Sequence, residues 1–180
     1  QFVLPNLKGI NLFVNDFFDE DALGAFSTRG IAFDFIIGNP PWGNVKTGLH
    51  TAYCKKHGYN SMQQNNEISR SFVFRAKDFS NPNTICCFIL HSKVLYNQKQ
   101  PAIRFRKFLL EHTKIYRILE LSSVRKLVFE NADAPAAIVT FQYNQMNNLD
   151  NKFTYISVKP NIFFRLFHVF VIEKSDIKSI

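Results

Sequence analysis

Apolar residues recur along this chain in two spacings, and the switches between them mark out the elements. Residues 10–15 (INLFVN) and 33–37 (FDFII) are short runs of β-branched and aromatic residues bounded by polar stops, which predicts strands. The first is closed by acidic residues at 16–20, and a short helix is expected at 22–26. The second stops at Gly38 and then Asn39-Pro40-Pro41, because two prolines cannot continue a ladder and the chain must turn out. Residues 43–65 are polar and show no steady period, so a long surface loop is expected. Over residues 66–79, Ile68, Phe72, Ala76 and Phe79 are spaced as one helix face, closed by Asn81-Pro82. Residues 85–90 (ICCFIL) are continuously apolar, as in a strand covered on both faces. Pro101 opens a second amphipathic helix with Ile103, Phe105, Phe108 and Leu109 inward, and residues 115–121 and 136–141 are two further strands.

Strands alternating with helices predict an α/β layer fold with a mostly parallel sheet. The last two strands, close in sequence, are expected to pair antiparallel at one edge. In such folds ligands bind beyond the carboxyl ends of the strands, where Asp16 and Asn39-Pro40-Pro41-Trp42 are placed.

The chain has 180 residues and is 46% hydrophobic and 20% charged, enough for a core and unlike a disordered tail. No apolar run reaches the ~20 residues of a membrane span. Three cysteines without ligand spacing predict neither a disulfide framework nor a metal site, which favours a cytoplasmic setting. The five histidines likewise show no ligand spacing. No signal peptide is evident, and Gln at position 1 hints at a piece of a longer polypeptide. Net charge is +8, unevenly spread: residues 1–45 carry −3 and residues 46–126 carry +11. That middle segment would attract a polyanion. Lys46, Lys55 and Lys56, close to the Pro-Pro turn, are the candidates for backbone phosphates. Arg104, Arg106 and Lys107 are expected on the solvent face of their helix.

Asn39-Pro40-Pro41-Trp42 is the sharpest chemical feature. The Asn39 side-chain oxygen and the Pro40 carbonyl are two acceptors on a stiff turn, suited to the two donors of an NH₂ group. Trp42 offers a flat face for a heteroaromatic ring. Accepting from both N–H bonds favours a pyramidal nitrogen attacking a methyl group. The plain alternative is turn chemistry, which Asn-Pro-Pro also serves. Asp16 could equally end a strand or cap a helix. Phe141 could equally be core, since it ends a buried strand in a chain of twenty phenylalanines.

FDFIIGNPPWG resembles the catalytic motif of S-adenosylmethionine-dependent amino-methyltransferases, above all the N6-adenine DNA methyltransferases of restriction–modification systems of the type IIG and Taq-like kind. Asn15-Asp16-Phe17-Phe18 resembles the segment whose Asp binds the cofactor's adenine amino group, with the following aromatic beside the ring. The resemblance continues through residues 71–76, 85–95, Leu127-Val128-Phe129 and 134–142, and covers roughly residues 8–143. It implies a Rossmann-like class I methyltransferase sheet and S-adenosylmethionine as cofactor. Asn39, Pro40, Pro41 and Trp42 would be catalytic, and Asp16 and Phe17 would bind cofactor. Phe141 would pack on a flipped target base opposite Trp42, offsetting the few kcal/mol of unstacking that flipping costs.

Two departures qualify the resemblance. The family's glycine loop, which lies before the Asp16 strand, and the strand that follows that loop, whose acidic end holds the cofactor ribose, have no counterpart here, so the sheet is expected to be incomplete on its N-terminal side. The target-recognition region is absent too, leaving residues 144–180 as an extension of unknown role after a partial catalytic domain over 1–143. The implied partners are DNA and the N-terminal part of the same enzyme, or a subunit supplying it. Two other readings stay open: methylation of a protein glutamine or an RNA base, and a non-catalytic DNA-binding remnant.

Overall fold

The computed structural model describes residues 12–21, 33–43, 48–63, 67–129, 134–143 and 152–180. Its strands β1 (Phe35–Gly38), β2 (Ile85–His91), β3 (Thr113–Glu120), β4 (Ala136–Tyr143), β5 (Thr154–Ser157) and β6 (Ile177–Ser179) form one sheet in the order β1-β2-β4-β3-β5-β6. β1 pairs parallel with β2, and β3 with β5; β4 runs antiparallel to both β2 and β3, and β6 antiparallel to β5. Four of the six strands therefore share a direction. The expected antiparallel pair β3–β4 exists, but not at an edge. β4 is inserted between β2 and β3, and β5 and β6 continue the sheet beyond β3.

Helices α1 (Leu49–Lys56), α2 (Ile68–Ala76) and α3 (Gln100–His112) bury their inner sides with one face of the sheet. That core takes Cys86, Phe88 and Leu90 from β2 and Ala137, Val139, Phe141 and Tyr143 from β4, the alternate residues of each strand. The other residues of β2 are only half-buried, so its apolar run is covered fully on one face and partly on the other. A smaller cluster on that second face joins Leu121, Val124, Ala136, Ile156 and Val158, with Trp42, Ile89, Phe129 and Phe170 against it. The short helix α4 (Ile162–Phe167) belongs to the C-terminal segment.

Three expectations are corrected. The surface loop at 43–65 contains α1, whose His50, Tyr53 and Cys54 are buried. The helical period was present, but one histidine and one cysteine carry it and a count of aliphatic residues misses it. On α2 the buried side is Ser69, Arg70, Ser71, Val73, Phe74 and Arg75 together with Ala76, whereas Ile68 and Phe72 are half-buried. Burying Arg70 is tolerated because Glu67 pairs with it at 3.1 Å and the Met62 carbonyl accepts from it at 3.1 Å. Residues 12–15 form no strand beyond a bridge at Leu12, and the rest of the 10–15 run, like the helix expected at 22–26, lies outside the described residues. The remaining expected helix and strands stand within a few residues of their predicted bounds. No helix among the described residues is long and apolar enough to cross a membrane.

Candidate functional site

β1 delivers the Asn-Pro-Pro-Trp turn. Its last residue, Gly38, pairs with Phe88, so the turn lies level with the carboxyl end of β2. A side chain at Gly38 would put its Cβ 2.9 Å from the Phe88 ring, which explains a glycine where β1 hands over to the motif. Pro40 is buried and fixes the turn, while Asn39 and Pro41 are exposed. The Asn39 amide makes no hydrogen bond among the described residues, so its oxygen is open to an incoming donor.

Trp42 folds back over the sheet. Its indole N–H donates to the Ile89 carbonyl at 3.3 Å, and its ring lies 5.9 Å from His91. Phe129 meets the indole edge to face, with centroids 6.4 Å apart and planes at 71°. Asn39, Pro40, Pro41, Trp42 and Phe129 line a cleft of about 310 Å³. The His91 imidazole is pushed below its ordinary value, chiefly by burial, and its Nδ1 accepts from the Lys93 amide at 3.2 Å. A neutral ring beside the cleft is thereby favoured.

Phe141 does not join this site. It is fully buried and pairs with Cys86 on β2, level with Ile36 of β1 and three residues short of Asn39. Its side chain lies in the helix-covered core beside Phe88 and Tyr143, whereas Trp42 packs with the cluster on the opposite face. Side chains alternate along a strand, so no rotamer carries Phe141 to Trp42. The aromatic partner that the fold supplies is Phe129. The sequence signal for it was Leu127-Val128-Phe129 just before β4.

Asp16 and Phe17 sit on a turn pinned to α1 and α2. Asp16 is exposed, and one carboxylate oxygen accepts from the Phe18 amide at 2.8 Å. The Phe17 ring stacks on Phe72 at 4.9 Å and Phe79 at 5.4 Å, so it is already engaged in packing. Phe18 is buried against Tyr53. Sequence reasoning missed Arg75. It is buried beneath this turn; its Nε donates to the Phe17 carbonyl at 3.1 Å and its Nη1 to Asp78 at 2.7 Å, and Asp78 also accepts from Tyr53 at 2.8 Å. Only its place on a helix face, never its type, could have signalled this.

Of the three candidate lysines, Lys46 lies outside the described residues. Lys55 and Lys56 end α1, where the helix dipole favours cations. Lys56 pairs with Glu20 at 3.0 Å, and that hydrogen bond is the main cause holding the Glu20 carboxyl below its usual value. The Lys56 charge is thus met within the chain. Arg106 is not wholly on the solvent face either: its Nη1 donates to the Val94 and Asn97 carbonyls. Among the described residues no three potential ligands gather for a metal.

Residues 6–129 match the Eco57I restriction-modification methylase family. No curated protein matches the chain. Among solved structures, it is similar to the methyltransferase subunit of a type I restriction-modification system from Streptococcus thermophilus, at 16% identity and TM-score 0.55, covering 81% of this chain and 30% of that one. It is similar to the ATP-dependent type ISP restriction-modification enzyme LlaBIII, at 15% identity and TM-score 0.57, covering 79% and 11%. A Listeria monocytogenes protein described as a class I S-adenosylmethionine-dependent methyltransferase matches at 14% identity and TM-score 0.50, covering 65% and 33%. The shared fold is therefore that of class I methyltransferases, and the chain spans a third or less of each of these structures.

Proposed function

Since the chain belongs to the Eco57I restriction-modification methylase family, we propose that it holds the amine-binding side of a DNA methyltransferase site, acting on the N6 amino group of adenine within a restriction–modification enzyme. The observation that carries this reading is the cleft in which an open Asn39 amide and the Pro-Pro turn lie under Trp42 and Phe129.

Asn39 Oδ1 and the Pro40 carbonyl would accept one N–H bond each, drawing the amino lone pair out of conjugation with the ring. Trp42 would hold the base face, and Phe129 would close the cleft from the side. Such stacking is worth roughly 1–3 kcal/mol per base, comparable to the cost of extruding it. The nitrogen held in this way would be the nucleophile, and its extra proton would leave to water. S-adenosylmethionine, when bound, supplies that electrophilic methyl group. The exposed Asp16 carboxylate, with one oxygen engaged by Phe18, suits the adenine amino group of this cofactor. Phe17 would contribute through its turn, since its ring stacks on Phe72 and Phe79.

The test is transfer of a labelled methyl group from S-adenosylmethionine to DNA, followed by digestion to nucleosides. Label in N6-methyl-2′-deoxyadenosine supports the reading. Label in protein glutamine or RNA would replace it with one of those substrates. DNA binding without any transfer would make the chain a non-catalytic DNA-binding piece.

A further inference from the structure

A second cleft, of about 510 Å³, opens between the segment leading to Phe129 and the C-terminal segment around α4. Arg125, Lys126 and Ser123 line one side, and Phe164 and His168 line the other. Among the described residues that line it, none is a carboxylate. The two described acids of the C-terminal segment are occupied elsewhere: Asp176 pairs with Lys159 at 2.7 Å, and Glu173 and Asp176 form a reciprocal cap.

The cleft is built rather than incidental. The Arg125 guanidinium is held by Nη1 donating to the Ser122 carbonyl at 3.0 Å, while its buried Nε has no partner among the described residues. His168 adopts φ 55°, a left-handed conformation that a non-glycine residue rarely takes, and this ends α4 at the cleft wall. Asn161 fixes the other end of α4, accepting from the Phe164 amide at 3.0 Å and donating to the Val171 carbonyl at 2.9 Å. The Phe164 ring stacks on Phe170 at 4.3 Å, and Phe170 packs on the same cluster as Trp42 and Phe129. One wall is thus continuous with the support of the base cleft.

We infer that this cleft receives a backbone phosphate of the DNA strand carrying the target adenine, with Arg125 and Lys126 as its cations and Phe164 as an apolar wall. Cations beside an aromatic surface are the combination that tracks a displaced nucleic-acid strand. The inference rests on the DNA-methylation reading. It also gives residues outside the family match, 160–168, a role: they supply the wall that makes a groove beside half-buried Arg125 and exposed Lys126.

The experiment measures binding of the full chain to a fluorescent duplex with one mismatched adenine, which is cheap to extrude, across a salt series. The variants are Arg125→Ala/Lys126→Ala and Lys126→Glu. Each lost phosphate contact should reduce the magnitude of the log K against log salt slope by about 0.9. One neutral methylphosphonate beside the mismatched adenine should weaken the wild type and leave the double variant unaffected. An unchanged slope in folded variants, with methyl transfer intact in the wild type, would overturn this inference alone. A wild type that neither binds DNA nor transfers methyl would overturn the functional reading with it. Because Lys126 is exposed, Lys126→Glu keeps the test valid if Arg125→Ala disturbs folding.

Discussion

Trp42 and Phe129 meet edge to face, 6.4 Å between centroids, although 87 positions separate them in the chain. Edge-to-face contact leaves each ring with a face uncovered by the other, the geometry that could accept a third ring. Phe129→Ala is therefore expected to lower methyl transfer and the fluorescence rise of a 2-aminopurine placed at the target position. Because Phe129 is only half-buried, the denaturation midpoint should move little. Phe141→Ala should do the reverse, destabilising by about 3–5 kcal/mol as a cavity opens in the core. If both variants behave alike in the two assays, the assignment of roles is wrong.

Asn39 is exposed and makes no hydrogen bond within the described chain, so Asn39→Ala removes an acceptor without breaking a fold contact. Transfer should fall by at least a hundredfold, with the melting temperature unchanged. Kinetics at saturating cofactor would check this, and a loss confined to cofactor binding would move the residue to another role.

Arg75 ties the Asp16–Phe17 turn to α2. Removing its charged hydrogen bonds should cost about 1.5–3 kcal/mol, read from chemical denaturation of Arg75→Ala. Arg75→Lys, which cannot reach both Phe17 and Asp78 as a planar fork, should raise KM for S-adenosylmethionine more than it lowers kcat. Equal effects on both would reduce Arg75 to a purely structural residue.

Burial pushes the His91 imidazole down, so the folded chain binds fewer protons here than the unfolded chain does. Stability from this group is therefore present above the unfolded pKa of about 6.5 and is lost as pH falls below it. Trp42, the single tryptophan, lies 5.9 Å from His91 and reports on the same place. Its emission should change through that acid limb, and His91→Gln should remove the change.

Cys54 and Cys86 are fully buried, and burial pushes both thiols up to about 11. Neither should react with a disulfide reagent at neutral pH until the chain unfolds. Half-buried Cys87 should react first. Counting thiols with and without denaturant tests this, and rapid native labelling of Cys54 would contradict the packing of α1.

The local chemistry of the sequence by itself determined where β1 must stop, which residues carry acceptors on the turn that follows it, and that strands alternate with helices. Those features follow from proline's missing donor, amide chemistry and hydrophobic period, all readable within a few residues. The tertiary structure decided the rest. Strand order is set by pairings between distant segments, so only the folded sheet shows β4 inserted between β2 and β3. Whether Phe141 or Phe129 lies beside Trp42 turns on which face a side chain takes, and a shift of one residue in register reverses that face. The α1 helix was hidden because His50 and Cys54 become core residues only where Ser71 and Phe18 await them. The basic cleft exists only because the C-terminal segment returns to the turn before Phe129, a meeting that no local pattern encodes.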